Sequence, residues 1–326
     1  MKICSKKLKG CAALFFGAIM MTGSSGAHAA ASSEHIQVPI VRPAITEHHD
    51  VTFAQYFAWP ETRLKMDILQ PDVKGKVPAV VFVTGGGFIA TPKTSYVSQR
   101  VHIAEAGYVV ASVEYRVVPT GTFMDAVRDV KSAIRYLRAH ADEFNIDTSR
   151  IAVMGESAGG YMAAMVGASN GVKEFDMGEN LDQTSDVQAA IDIYGLSDLT
   201  KVGADYSTEV QMLHKSAGAS QALFVNGVPP FVKGGAIDEY PEKAKAANPM
   251  SYISGKSAPF LLMHGDQDKL VSPSQTELLH AALREHGIES TRYVVEGATH
   301  ADQYWYQPAV EKIIISFLDE KLKRSR

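Results

Sequence analysis

The chain has 326 residues, 46% of them hydrophobic and 21% charged, with a formal net charge of -4. That length and apolar content suit a globular protein with one large core. The mildly acidic balance gives no electrostatic case for nucleic acid or an anionic membrane as partner.

The chain opens on a basic stretch, "MKICSKKLKG", then an apolar run, "CAALFFGAIMM", then a small-residue end, "GSSGAHAA", with an A-x-A site at Ala27-His28-Ala29. That order is the pattern of a secretory signal peptide over residues 1–29, and the apolar run is shorter than the ~20 residues needed to cross a bilayer. The expectation is an exported protein, periplasmic or secreted, with no membrane span once the leader is cleaved. Cleavage removes four lysines, so Lys+Arg falls from 32 to 28 against 36 acids and the formal charge becomes -8. Cys4 and Cys11 leave as well. Chemistry in the mature chain then rests on Ser, His, Asp, Glu, Tyr or Lys, with no disulfide and no thiolate metal site.

Residues 30–49 are polar and punctuated by proline, and they read as a linker. The "EHHD" run from Glu47 to Asp50 lacks a second ligand cluster and reads as solvated rather than metal-binding. No metal and no cofactor are expected.

From residue 50 to 326 the pattern predicts one catalytic domain. Candidate strands are Val51 to Ala54, Leu64 to Leu69, Val77 to Val83, Tyr108 to Val113, Ile151 to Met154, Ala189 to Tyr194, Phe260 to His264 and Thr291 to Val295. Continuous apolar runs such as "PAVVFV" and "YVVASV" are what strands covered on both faces look like. Between strands, "FMDAVRDVKSAIRYLRAH" places Ala126, Val130, Ile134 and Leu137 on one helical face with its charges opposite. Ser272-Pro273-Ser274-Gln275 has a capping-box pattern and Gly287 suits the far end of that helix. Strands alternating with helices predict an α/β fold with a mainly parallel eight-stranded sheet. Residues 200–247 break the alternation with glycine- and proline-rich sequence and read as a short lid-like insertion, with a surface decoration as the alternative.

Within this frame "MGESAGGY" places Ser157 between Gly155 and Gly159. A G-x-S-x-G match alone is weak, but here an apolar strand precedes it and a helix of small residues follows. That is the strand, sharp turn and helix of a nucleophile elbow. A serine hydroxyl needs an adjacent base, itself oriented by a carboxylate, and on this architecture both should follow in loops after later strands. "HGDQD" supplies Asp266 and Asp268, and "EGATH" supplies His300. Asp266 follows Gly265 directly and suits a turn, whereas Asp268 sits farther into the loop and is the favoured acid. His264 reads as a structural residue at a strand end, and Glu156 as a support of the elbow. "VVFVTGGGF" ends a strand in a glycine loop, so the amides of Gly86 and Gly87, together with Ala158, are the candidates for an oxyanion hole. It is no phosphate loop, because no Gly-Lys-Ser/Thr follows.

With "TGGGF", "VEYRVVP", "DVKSAIRYLRAHADEFNIDTSRIAVMGESAGG", "IDIYGLSDLT", "HGDQDKLVSP" and "GATH", the chain from about Val51 onward resembles the α/β-hydrolase carboxylesterases. Within them it is similar to the bacterial hormone-sensitive-lipase-like and feruloyl/acetyl-xylan-esterase-like groups. The resemblance implies Ser157 as nucleophile, His300 as base, Asp268 as acid, and Gly86, Gly87 and Ala158 around the oxyanion. One departure stands out: such proteins usually carry histidine before the three glycines, and here Thr84 takes that place, its hydroxyl a candidate replacement for the bond that shapes the loop.

The expected function is an exported serine esterase acting on short acyl esters, with acetyl or feruloyl decorations of plant polysaccharide as candidate substrates. Arylformamidase, lipase and peptidase activity remain open on the same scaffold. So does a non-catalytic binding role. "DQYWYQP" could line the site with Tyr304, Trp305 and Tyr306 or anchor the last helix.

Overall fold

The computed structural model describes residues 33–57, 61–230 and 232–323. The expected leader, residues 1–29, lies outside them. The chain divides into two units, Met1–Ile40 and Val41–Arg326. In the first, residues 33–40 carry no regular secondary structure.

The second unit is built on an eight-stranded sheet. Its strands are β1 (Ile45–Tyr56), β2 (Thr62–Pro71), β3 (Val77–Val83), β4 (Val109–Val113), β5 (Ile146–Glu156), β6 (Ala189–Ile193), β7 (Phe260–Gly265) and β8 (Ser290–Val295). All eight expected strands form, in the spatial order β1-β2-β4-β3-β5-β6-β7-β8. β1 with β2 and β2 with β4 pair antiparallel; every later pair is parallel. The sheet is therefore mixed, with its parallel part holding the fully buried strands β4 and β6. β1 begins at Ile45, inside the segment expected to be linker, and "EHHD" lies on this edge strand. There His48 Nε2 meets Gln70 Oε1 at 2.8 Å and the ring packs edge-on against Phe144, so the histidine has a structural place.

Helices α1 (Val97–Glu105), α2 (Phe123–Ala139), α3 (Ala158–Ala168), α7 (Ser274–Glu285) and α8 (Pro308–Leu318) flank the sheet. Three shorter ones, α4 (Thr208–Lys215), α5 (Ser220–Asn226) and α6 (Pro241–Ala246), form the insertion between β6 and β7. On α2 the predicted apolar face is buried, but Asp129, Lys131, Arg135 and Arg138 are buried too. The segment after α3 covers that side, and the long cations satisfy its carbonyls. Lys131 Nζ donates to Ser169 O at 2.9 Å, while Arg138 donates to Thr184 O and Asp186 O at 2.7 Å each. Buried cations are tolerated where their donors find acceptors, here backbone carbonyls and, for Lys131, also Ser185 Oγ at 3.4 Å.

The start of α7 also differs from the expected capping box. Pro273, in the α region, is the cap residue, and no side chain caps the start of the helix. Gln275 instead turns inward. Its Oε1 accepts from the amides of Ser197 and Asp198 at 2.8 Å each, which ties the turn after β6 to α7.

Candidate active site

Ser157 sits at the turn between β5 and α3 with φ 56 and ψ -121, a backbone conformation that L-residues rarely adopt. The turn is tight because its glycines permit close approach. A Cβ on Gly159 would lie 1.9 Å from Val83 O, and one on Gly155 would lie 2.2 Å from Gly159 O. Ser157 N donates to Ile193 O at 2.9 Å, which fixes the turn to the end of β6. Tyr161 N bonds back to Ser157 O at 3.0 Å, and the amides ahead of it stand at the open start of α3.

The loops after β7 and β8 bring the remaining sequence-predicted residues to this serine. His300 Nε2 lies 2.8 Å from Ser157 Oγ, and His300 Nδ1 lies 2.7 Å from Asp268 Oδ2. Asp268 also accepts from the amides of Leu270 and Val271 through Oδ1, at 2.8 and 3.0 Å. Burial works to raise its carboxyl, but hydrogen bonds from His264 and His300, the charge of His300 and the Val271 amide hold it far below the usual carboxylate range. Asp266 is exposed and makes the turn: Oδ1 accepts from Gly297 N at 2.7 Å, joining the two loops.

A wall of aromatic side chains backs the His300 ring. The Tyr194 ring lies 4.7 Å from it, tilted by 57°, and packs T-shaped on Trp305 at 4.6 Å. Trp305 is fully buried and donates from Nε1 to Thr299 O at 2.9 Å, so of the two readings of the aromatic run it serves as an anchor. Beneath the elbow, the Tyr194 hydroxyl donates to Glu156 Oε2. Burial pushes the Glu156 carboxyl up to about 7. It does the same to Asp192, whose Oδ1 accepts from Gly195 N at 2.8 Å.

Gly87, Ala158 and Ser157 border a cavity of about 90 Å³. Phe88, Leu196, Val202 and Val271 give it an apolar wall, and His214 and Gln221 reach it from the insertion. Burial lowers the His214 imidazole and favours its neutral form. Gly86 is not among the residues lining the cavity; its carbonyl accepts from Ile89 and Ala90 amides at 3.0 and 3.1 Å and closes the turn. A Cβ there would lie 2.1 Å from Ala90 O. Thr84 is fully buried, and its hydroxyl has no hydrogen-bond partner among the described residues. It therefore does not replace a histidine's bond. The loop is held through its backbone instead, with the Tyr115 hydroxyl donating to Thr84 O at 3.3 Å.

Sequence reasoning missed Tyr194 and Gln275, and it gave His264 no part in the site. Only the polar character of Tyr194 and Gln275, each close to a strand or helix end, could have marked them.

The chain has relatives among known proteins. The chain is similar to a probable isoprenylcysteine alpha-carbonyl methylesterase, ICMEL1, of Arabidopsis thaliana, 28% identical over 76% of this chain and 50% of that protein. It is also similar to esterase LipC of Mycobacterium tuberculosis, 29% identical over 68% of this chain and 52% of that one. The chain thus spans about half the length of the curated relatives it matches. Among solved structures, a truncated form of a carbohydrate esterase from gut microbiota superposes with a TM-score of 0.76 at 24% identity, covering 88% of this chain and 99% of that chain. A bifunctional GH43-CE protein of Bacteroides eggerthii gives 0.72 at 26% identity, covering 85% of this chain and 35% of that one. The fold is that of the α/β-hydrolases. With the BD-FAE family model matching residues 66–283, from β2 through most of α7, the chain belongs to the BD-FAE family.

Proposed function

We propose that this protein is an exported serine carboxylesterase that cleaves short acyl esters through an acyl-enzyme. One observation carries the reading: Ser157, His300 and Asp268 are joined by hydrogen bonds of 2.8 and 2.7 Å beside a small apolar cavity. Ser157 Oγ attacks the ester carbonyl as its proton passes to His300 Nε2, and the negative Asp268 stabilises the imidazolium through Nδ1–H. The carbonyl oxygen takes up the electron pair and is met by the amides of Ala158 and Gly87. The positive end of α3 adds to that stabilisation. Collapse expels the alcohol, protonated by His300, and water repeats the sequence to release the acid.

The cavity supports a small acyl group. Its 90 Å³ is well under the ~150 Å³ of an apolar cavity that takes benzene, so acetyl is favoured over feruloyl or a long lipid chain. The likeness to a protein named as a carbohydrate esterase supports a carbohydrate-linked alcohol, and the leader pattern of residues 1–29 supports export. A panel of p-nitrophenyl acetate, p-nitrophenyl laurate, methyl ferulate, acetylated xylan, formyl-kynurenine and a peptide amide tests this. Acetyl esters are expected to be turned over fastest. Ser157→Ala that keeps full acetate turnover would sink the proposal.

A further inference from the structure

Three residues outside the Ser157–His300–Asp268 set lie in one line behind its acid. Arg292, on β8, places Nε 3.1 Å from Thr276 Oγ1. The Thr276 hydroxyl lies 3.1 Å from His264 Nδ1. His264, fully buried at the end of β7, places Nε2 3.0 Å from Val271 O and 3.3 Å from Asp268 Oδ2.

Donor accounting gives this line a direction. His264 Nε2 faces two acceptors, a carbonyl and a carboxylate, so it must carry a proton. Thr276 Oγ1 accepts the Arg292 Nε–H and has one proton to give. Its other acceptor, Pro273 O, is farther at 3.4 Å and already receives Arg292 Nη2 at 3.0 Å. Of the two acceptors in reach of that hydroxyl, Nδ1 at 3.1 Å is nearer than Pro273 O at 3.4 Å, which favours a lone pair on Nδ1 and the hydrogen on Nε2.

Building on the esterase reading, we infer that His264 is a positioning residue of the catalytic site. Its Nε2–H, set in that tautomer by Thr276 and Arg292, faces Val271 O at 3.0 Å and the Asp268 oxygen that also binds His300 at 3.3 Å, so one donor ties the acid to its own loop. That oxygen is shared by two imidazoles, and the backbone amides of Leu270 and Val271 occupy the other. With both oxygens engaged, the carboxylate cannot rotate away from His300. The depressed Asp268 carboxyl agrees, the His264 bond being among its causes. Among the described residues, the other charged and titratable groups facing this pair are Tyr206, whose hydroxyl donates to Asp268 O, Tyr194 against His300, and Asp302 in the His300 loop.

The test uses the full chain and the variants His264→Phe, His264→Gln and Thr276→Val. His264→Phe keeps ring volume without a donor, and Gln restores an N–H of similar reach. For His264→Phe, kcat on p-nitrophenyl acetate should fall roughly tenfold to a hundredfold with KM nearly unchanged, as loss of an outer partner typically does. The acid limb of its pH–rate profile should move upward by about half a unit, because the Asp268 oxygen loses one donor and its negative charge bears more strongly on His300. His264→Gln should recover part of both. A folded His264→Phe protein with unchanged kcat and acid limb overturns the inference. So does equal impairment of the Phe and Gln variants with no movement of the limb. Should His264→Phe not fold, Thr276→Val takes the same assays, with an acid-limb shift expected and its absence overturning. Nitrogen NMR of the unmodified protein stands apart from activity: a protonated Nε2 at His264 is expected, and an Nδ1–H tautomer overturns the inference. If no ester in the panel is cleaved, the esterase reading fails, and that spectrum still decides the His264 assignment.

Discussion

Two buried carboxylates lie close to the elbow, Asp268 against His300 and Glu156 behind Tyr194, and they are shifted in opposite directions. Asp268, in the loop after β7, is surrounded by donors: two backbone amides on one oxygen and two histidines on the other. Glu156, on the strand before the serine, is fully buried and has two side-chain donors, the Tyr194 hydroxyl on Oε2 and Gln99, with no backbone amide aimed at it among the described residues. Burial pushes both upward, but only Asp268 has enough donors to reverse it, so it stays ionised while Glu156 is held up to about 7. Depth alone does not decide charge at this site. The number of donors aimed at each oxygen does.

The largest effect should come from Asp268→Asn. It keeps the shape but turns donors against an amide and spoils the His300 tautomer, so kcat should drop on the order of 10³- to 10⁴-fold with KM little altered. Steady-state kinetics on p-nitrophenyl acetate read this, and a loss under tenfold would break the contrast. Next in size is Glu156→Gln, read by stability. The Glu156 carboxyl titrates near 7 in the fold and near its ordinary 4.5 when unfolded, so between those values the folded state holds a proton that the unfolded chain has released. Stability therefore falls as pH rises from about 4.5 to 7 and stays lower above that. Glutamine should abolish this Glu156 contribution and raise stability at pH 8 by up to a few kcal/mol, measured by urea melts across pH.

Asp268 has the opposite sign. Its contribution is present above the ordinary 3.8 and is lost as pH falls below it, so wild type should lose stability there more steeply than Asp268→Asn. The smallest effect belongs to Tyr194→Phe, which removes the donor to Glu156 and keeps the ring against His300. It should cost about 1 kcal/mol of stability and leave kcat within about fivefold. A larger kinetic loss would mean that the Tyr194 hydroxyl, and not only its ring, matters to His300.

Much of this was legible from local pattern. The eight strands announced themselves as apolar runs, and Ser157 as glycine-flanked between a strand and a small-residue helix. Asp268 and His300 stood in loops after later strands, in the order that the elbow demands. What stayed hidden depends on long-range contact. The burial of Lys131 and Arg138 follows from carbonyls 38 to 48 residues away, which helical periodicity cannot register. The Ser272 cap failed because the turn before α7 is spent on Gln275 holding Ser197 and Asp198. The pairing of His264 with Asp268 needs the loop to fold back over a strand end, and four residues of spacing do not reveal that outside a helix.

Phe88 leaves one consequence for anyone who would rebuild this protein. Immediately after Gly87 it takes φ 64, stacks on Phe224 of α5 at 4.4 Å, and packs T-shaped on Tyr161 of α3 at 5.3 Å. The glycine loop, the insertion and the elbow helix therefore share one aromatic joint. The insertion is not an exchangeable cassette: grafting another in its place would disturb the loop beside Ser157 as well as the room beyond it, so selectivity and speed would have to be re-engineered together.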